Sequence, residues 1–232
     1  MLVLGMNKKH YTELVFVMDR SGSMSGMEEH AVASFNKFLE SQKKISGEAG
    51  LTLVLFDDKI EKPIETDDIG KVNEISASDF VPRATTALLD AIGTSIKETK
   101  RKLKNLSENK KPGKAIFAIF TDGYENASLK YDWEDISRKI SRRTEKDGWE
   151  FLFLAANEDA IATASSLNIK KKNASRVKPS KQAMETWGKS VSSKVSSIRH
   201  KMMDEDYDKV CYSRSLDDIV REDLEHEEIK EQ

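Results

Sequence analysis

Hydrophobic residues follow two patterns along this chain. Four short runs, Leu14 to Met18, Leu51 to Phe56, Ala115 to Phe120 and Phe151 to Ala156, are almost wholly apolar. They lack the polar alternation of a strand with one wet face and read as strands buried on both faces. Elsewhere apolar positions recur at three- and four-residue steps, the stripe of an amphipathic helix. Ala31, Phe35, Phe38, Gln42 and Ile45 form one stripe, and Leu89, Ile92, Ile96, Thr99, Leu103 and Leu106 a second. Trp133, Ile136 and Ile140 mark a third, opened by Asp132 in an N-cap position. After the fourth run Asn157 stands as the cap of a short helix through Leu167. Met184, Trp187, Val191, Val195, Ile198 and Met202 then give the most regular stripe, begun at Pro179-Ser180. Lys59 to Ile64 reads as a short edge strand turning back on the second run, and Val177 as the mark of a last short strand.

Strands alternating with helices predict βαβ units, right-handed crossovers and a mostly parallel sheet. The expected fold class is α/β: a Rossmann-like three-layer sandwich with one short antiparallel edge strand and helices on both faces. The domain is placed at residues 8–203, including a C-terminal amphipathic helix at 180–203. Residues 204–232 carry a weaker stripe (Leu216, Ile219, Leu224) and are expected to be a marginal helix or a disordered tail.

Composition changes this picture little, but charge adds to it. A chain of 232 residues, 38% hydrophobic, suits one such domain with an appendage. The net charge of −2 hides an asymmetry: residues 204–232 hold 12 acidic and 4 basic side chains, leaving 28 acidic and 34 basic ones in 1–203. A mildly basic body thus carries an acidic segment, the pattern of a solvated tail or an interaction segment. The basic clusters, Lys100 to Lys104, Arg138 to Lys146 and Lys170 to Lys172, sit in helix-like stretches and read as solvated helix faces, which argues against nucleic acid. No apolar run approaches the roughly 18 residues of a membrane span, and MLVLG is too short for a secretory h-region. The single cysteine, Cys211, excludes an intramolecular disulfide and multi-thiolate metal sites. The expectation is a protein of the cytoplasm.

In open α/β sheets, ligands bind beyond the carboxyl ends of the strands. Each apolar run leads into acidic residues: Asp19-Arg20-Ser21-Gly22-Ser23, then Asp57-Asp58, then Thr121-Asp122-Gly123, then Asn157-Glu158-Asp159. Parallel strands would gather these acids at one crevice, where carboxylates repel unless a cation or protons separate them. Carboxylates with serine hydroxyls, and no His or Cys nearby, make a hard-oxygen set suited to Mg²⁺ or Mn²⁺ rather than zinc or copper.

The same residues carry a resemblance. Asp19-x-Ser21-x-Ser23, Thr86 within Ala84-Thr85-Thr86-Ala87-Leu88-Leu89-Asp90-Ala91-Ile92, and Asp122 within Thr121-Asp122-Gly123 together resemble the metal-ion-dependent adhesion site of the von Willebrand factor A domain. The likeness spans about Tyr11 to Lys178 and suggests a compact bacterial or phage type. It implies that Ser21 and Ser23 ligate Mg²⁺ through their hydroxyls, that Thr86 does so in a ligand-engaged state, and that Asp19 and Asp122 hold metal-bound waters. One coordination position would stay open for an Asp or Glu of a protein partner, with Arg20 at the crest of the loop as a specificity contact or simply solvated. Relatives of this short kind suggest partners among chaperone-like ATPases or stress-response proteins. Where the family often has two glycines before the threonine, Ala84 and Thr85 stand here; they restrict the loop and make Thr85 a rival ligand, although the Ala-Leu-Leu-Asp-Ala-Ile register favours Thr86.

Plainer readings compete for each residue. Ser25-Gly26-Met27-Glu28 is a capping-box pattern, Thr85 or Thr86 could be a plain N-cap, Asp122-Gly123 a common turn, Asp57-Asp58 a hairpin turn, and Asp90 a partner for neighbouring backbone. These explain each residue singly but not their joint occurrence. No phosphate loop, dinucleotide turn or nucleophile elbow is present, Met24 standing at the centre of Gly22 to Gly26. The four histidines (His10, His30, His200, His226) share no spacing that would make a base or a zinc site. The sequence therefore points to a Mg²⁺-dependent protein-interaction module and not to an enzyme. Two alternatives stand behind it: the acidic tail as the metal's own ligand, in autoinhibition or self-association, and a Mg²⁺-assisted hydrolase.

Overall fold

A computed structural model describes residues 11–106, 113–156, 158–177, 180–202 and 212–230. Its order is β1 (Thr12–Asp19), α1 (Glu28–Lys43), β2 (Ala49–Phe56), β3 (Ile60–Thr66), α2 (Leu88–Asn105), β4 (Lys114–Thr121), α3 (Trp133–Asp147), β5 (Glu150–Ala155), α4 (Ala160–Ser166), β6 (Ala174–Arg176), α5 (Lys181–Met202) and α6 (Leu216–Lys230), joined in places by single 3-10 turns. The six strands form one sheet in the order β3-β2-β1-β4-β5-β6. Every neighbouring pair is parallel except β2 with β3. The mostly parallel Rossmann-like sandwich expected from the sequence is the fold observed.

Burial on both faces explains the unbroken apolar runs. Along β1, Leu14, Phe16 and Met18 join the core under α1, α5 and α6, while Val15 and Val17 join the core under α2, α3 and α4. Trp187 of α5 anchors the first core, its ring stacked on Phe120 at 4.8 Å between centroids and 5.3 Å from Phe16. In the second, Phe117 lies between Trp149 and Phe151 at 5.4 and 4.9 Å. The helix stripes face these cores, with small departures at their ends. Ile45 and Leu106 lie beyond the last turns of α1 and α2, and Trp133 of α3 is partly exposed. Asp132 caps α3 by accepting from the Asp135 N–H at 2.8 Å, and Gly148 ends that helix with a left-handed φ of 64°.

The edges of the sheet are finished differently. β3 alternates half-buried and exposed positions and carries Glu61, Lys62, Pro63 and Glu65. β6 has only three residues, and α6 packs across it and along α5. Of the two states expected for the tail, a marginal helix or disorder, its described part is a helix, Leu216–Lys230, whose first turns pack on α5 and β6. Leu216, Ile219 and Val220 are buried against α5, and Ser190 and Ser175 donate to Asp223 and Asp217 at 2.7 and 3.1 Å. Asn157, Pro179, residues 204–211, His10 and Cys211 lie outside the described residues. Among the described helices none is long and apolar enough to cross a membrane.

Candidate metal site

Parallel register brings the acidic strand ends together. Asp19, the last residue of β1, pairs with Phe56 of β2, and Met18 pairs with Phe120 of β4. Asp19 has no exposed surface. Its Oδ1 accepts from the Ser21 N–H at 2.7 Å and its Oδ2 from the Thr121 hydroxyl at 2.6 Å, which fixes the carboxylate at the floor of the crevice. Ser21 Oγ and Ser23 Oγ are 3.0 Å apart, and Ser23 Oγ donates to Asp122 Oδ1 at 2.7 Å. The loops after β1 and β4 thus meet through a serine and an aspartate distant in sequence.

Thr86 comes from a third loop. Its N–H donates to Asn126 Oδ1 at 2.9 Å and its carbonyl accepts from the Asn126 N–H at 3.1 Å. The space above Gly123 shows where its hydroxyl sits. A Cβ added there would lie 2.8 Å from Thr86 Oγ1, 3.5 Å from Ser23 Oγ and 3.6 Å from Asp19 Oδ2. Glycine leaves that room open, and hydroxyl and carboxylate oxygens from separate loops converge on it.

Helix capping does not account for these hydroxyls. Ser21 heads the 3-10 turn Gly22–Met24 without a side-chain cap bond, and Ser25 only closes that turn. Helix α1 begins at Glu28 with Met27 in the cap position, so the Ser25 capping box expected from the sequence does not form. Helix α2 has Ala87 in its cap position, with no side-chain cap from that residue. Its first N–H groups are met from the loop after β4: Glu125 Oε2 accepts from Leu89 N–H and Ser128 Oγ from Asp90 N–H, each at 2.9 Å. Asp90 returns the contact, accepting from the N–H groups of Leu129, Lys130 and Tyr131 at 2.9 to 3.0 Å, the backbone role expected of it.

Electrostatics point the same way. Burial pushes the Asp19 carboxyl up to about 6 against the hydrogen bonds from Thr121 and Ser21, and the Asp122 charge adds to the rise. Asp122 is also raised, by burial, against the Ser23 hydroxyl and its own backbone. Two carboxylates held where ionisation is unfavourable call for a proton or a cation between them. Among the described residues no three His, Cys, Asp or Glu side chains cluster as a metal-holding group. The donors brought together here are two carboxylates and three hydroxyls, a hard set with few anions that fits Mg²⁺ retaining some of its waters.

Arg20 departs from its expected place. It does not stand at the crest of the loop: it is 3% exposed, and its Nε donates to Asp57 Oδ2 at 3.0 Å. A guanidinium this deep needs a carboxylate beside it, and no motif marks Asp57, 37 residues away, as that partner. Nor does any sequence pattern mark the parts played by Thr121, Asn126 and Glu125. Each acts through contacts between loops, which one sequence does not display.

The sequence matches no family model and no curated protein. Solved structures resemble the chain. A von Willebrand factor type A protein from Catenulispora acidiphila aligns at a TM-score of 0.55 with 12% identity, over 80% of this chain and 42% of its own. Proximal thread matrix protein 1 from the mussel byssus aligns at 0.57 with 14% identity, over 81% and 46%. The ArnB paralog VWA2 from Sulfolobus acidocaldarius aligns at 0.52 with 16% identity, over 80% and 45%. The chain spans less than half the length of these three proteins. At such identities the likeness establishes the fold alone, and the chain has a von Willebrand factor A fold.

Proposed function

We propose that this chain is a Mg²⁺-dependent protein-interaction module. Asp19, Ser21, Ser23, Thr86 and Asp122 would hold Mg²⁺, with Mn²⁺ able to replace it, and a partner protein would complete the site with an Asp or Glu side chain. The observation that carries this reading is the convergence of Thr86 Oγ1, Ser23 Oγ and Asp19 Oδ2 on the open space above Gly123, with the Ser21, Ser23 and Thr86 hydroxyls free of helix capping. When bound, the ion supplies an electrophilic centre for an anionic oxygen. The chain's own residues orient it: Thr121 and the Ser21 N–H fix Asp19, Ser23 fixes Asp122, and Asn126 fixes the Thr86 backbone. Adhesion is favoured over turnover because the described contacts of Asp19, Ser23, Asp122 and the Thr86 backbone hold metal donors in place. Among the described acids of α6, Asp217 is engaged by Ser175 and Asp223 by Ser190 and Lys189, which favours a separate partner over these two residues as the metal's ligand.

The test has two parts. Titration with Mn²⁺, read by electron paramagnetic resonance, should give one site in the wild type and none in Asp19→Ala/Asp122→Ala. Affinity capture with wild type plus Mg²⁺, wild type plus chelator, and the double variant should retain a prey on the first bait alone. Equal Mn²⁺ binding by wild type and double variant, or one prey on all three baits, would rule the reading out.

A further inference from the structure

Two of the site's loops are joined by a cluster of charges that the metal reading does not use. Arg20 belongs to the loop of Asp19, Ser21 and Ser23, and Arg83 stands just ahead of Thr86. Their guanidinium groups share the same two acids. Arg20 Nε and Arg83 Nε donate to Asp57 Oδ2 at 3.0 and 2.7 Å. Arg20 Nη1 donates to Glu61 Oε2 at 2.9 Å, its Nη2 is 2.8 Å from Glu61 Oε1, and Arg83 Nη2 donates to that same Oε1. Asp57 is fully buried and takes a further bond at Oδ1 from the Lys59 N–H at 2.7 Å. Two guanidinium groups repel, so this pairing holds only because both carboxylates stand between them.

The backbone takes the same path. Arg83 N–H donates to the Arg20 carbonyl at 2.9 Å, Gly22 N–H to the Ala84 carbonyl at 3.2 Å, and Ala87 N–H to the Asp57 carbonyl at 2.9 Å. Within this frame Ala84 takes a φ of 55°, a left-handed conformation that costs an alanine energy and persists only where its surroundings dictate it. Thr86 is then fixed from the far side by Asn126.

We infer that Arg83, Asp57 and Glu61 are positioning residues that lock the Arg83–Thr86 segment against the Asp19–Ser23 loop and so hold the Thr86 hydroxyl in place. Thr86 does not move into and out of the site; it is presented ready-made. The inference rests on the metal reading for its purpose but not for its test. The carboxylates of Asp57, after β2, and Glu61, on β3, reach the two loops through Arg20 and Arg83, so the separation of the loops depends on two acids whose described side-chain contacts include no metal donor.

Arg83→Ala and Glu61→Gln are the variants of choice, because both side chains are partly exposed and their loss leaves the cores intact. Arg138→Ala, on the outer face of α3, is the control. Amide hydrogen exchange of residues 83–87 in metal-free protein should speed at least tenfold in Arg83→Ala and in Glu61→Gln, with Arg83→Lys intermediate and Arg138→Ala unchanged. Exchange at the wild-type rate in both would overturn the lock. In the same proteins Mn²⁺ affinity should fall about tenfold in Arg83→Ala, with the midpoint of thermal unfolding little changed. Unaltered affinity would equally overturn it while leaving the metal site standing. If the wild type binds no Mn²⁺, the metal reading falls and the exchange rates alone judge the lock.

Discussion

At the floor of the crevice Asp19 is a carboxylate without exposed surface, and its behaviour with pH is a consequence of that. A carboxyl whose folded-state value is raised from 3.8 to about 6 binds its proton more tightly folded than unfolded. Stability therefore falls as pH rises through this interval and is flat above it, the loss being on the order of 3 kcal/mol for this group alone. Glu61 does the opposite. The hydrogen bonds from Arg20 and Arg83 hold it at about 2, so its contribution is present above the ordinary glutamate range and lost as pH falls toward 2. In metal-free protein the Asp19 effect should appear as a drop in thermal midpoint between pH 4 and 6 that is absent from Asp19→Asn. Added Mg²⁺ should raise the midpoint more at pH 7 than at pH 5; equal shifts at the two pH values would show that the ion binds away from Asp19. Asp19, Ser21, Ser23, Thr86 and Asp122 are legible as a group in the sequence because the motifs that hold them are local. Arg20 is not legible, for the opposite reason: its fate is decided by Asp57 and Glu61, and nothing in the residues around it announces them.

Among the elements, α1 and α5 pack closely together, and a glycine shows how close they are. A Cβ at Gly188 of α5 would lie 2.4 Å from the Ser34 carbonyl oxygen of α1. Alanine is normally worth about 1 kcal/mol over glycine inside a helix, but here the obstacle is backbone that cannot turn aside. Overpacking of a well-filled contact costs about 1–3 kcal/mol, so the clash outweighs the propensity. Gly188→Ala should lower the urea midpoint, and an unchanged or higher midpoint would mean that the helices slide apart freely. The strands and helices are readable in the sequence because each buries a continuous run or a stripe. Their ends are less so. The start of α2 shows why: the N–H groups of Leu89 and Asp90 are satisfied by Glu125 and Ser128 across the crevice, not by a residue of the preceding turn. A cap supplied in this way leaves no local pattern to find.

For the whole molecule, the acidic segment is where the sequence leaves helix and disorder both open and the structure takes the helix. Its three-residue stripe is short, and charge dominates its composition, so it resembles a solvated tail. Docking needs only one narrow face, and α6 has one in Leu216, Ile219 and Val220, flanked by the Lys189–Asp223 ion pair at 2.7 Å. Burying such side chains is worth about 1.5–3 kcal/mol each. Deleting 212–232 should therefore lower the thermal midpoint by several degrees while leaving Mn²⁺ affinity unchanged. A rise in that affinity would instead make the segment a competitor for the metal.

The finish of the two sheet edges has a consequence for assembly. Unpaired strand edges are where chains polymerise by adding strand to strand. Here one outer strand presents Glu61, Lys62, Pro63 and Glu65, with a break in register where it meets its neighbour, and the other is three residues long beneath a helix. Among the described residues, neither edge offers a long, regular, open strand on which a second copy could extend the sheet. Under the proposed function a partner would come instead to the loops at the strand ends, where a single metal position offers room for one acidic side chain at a time.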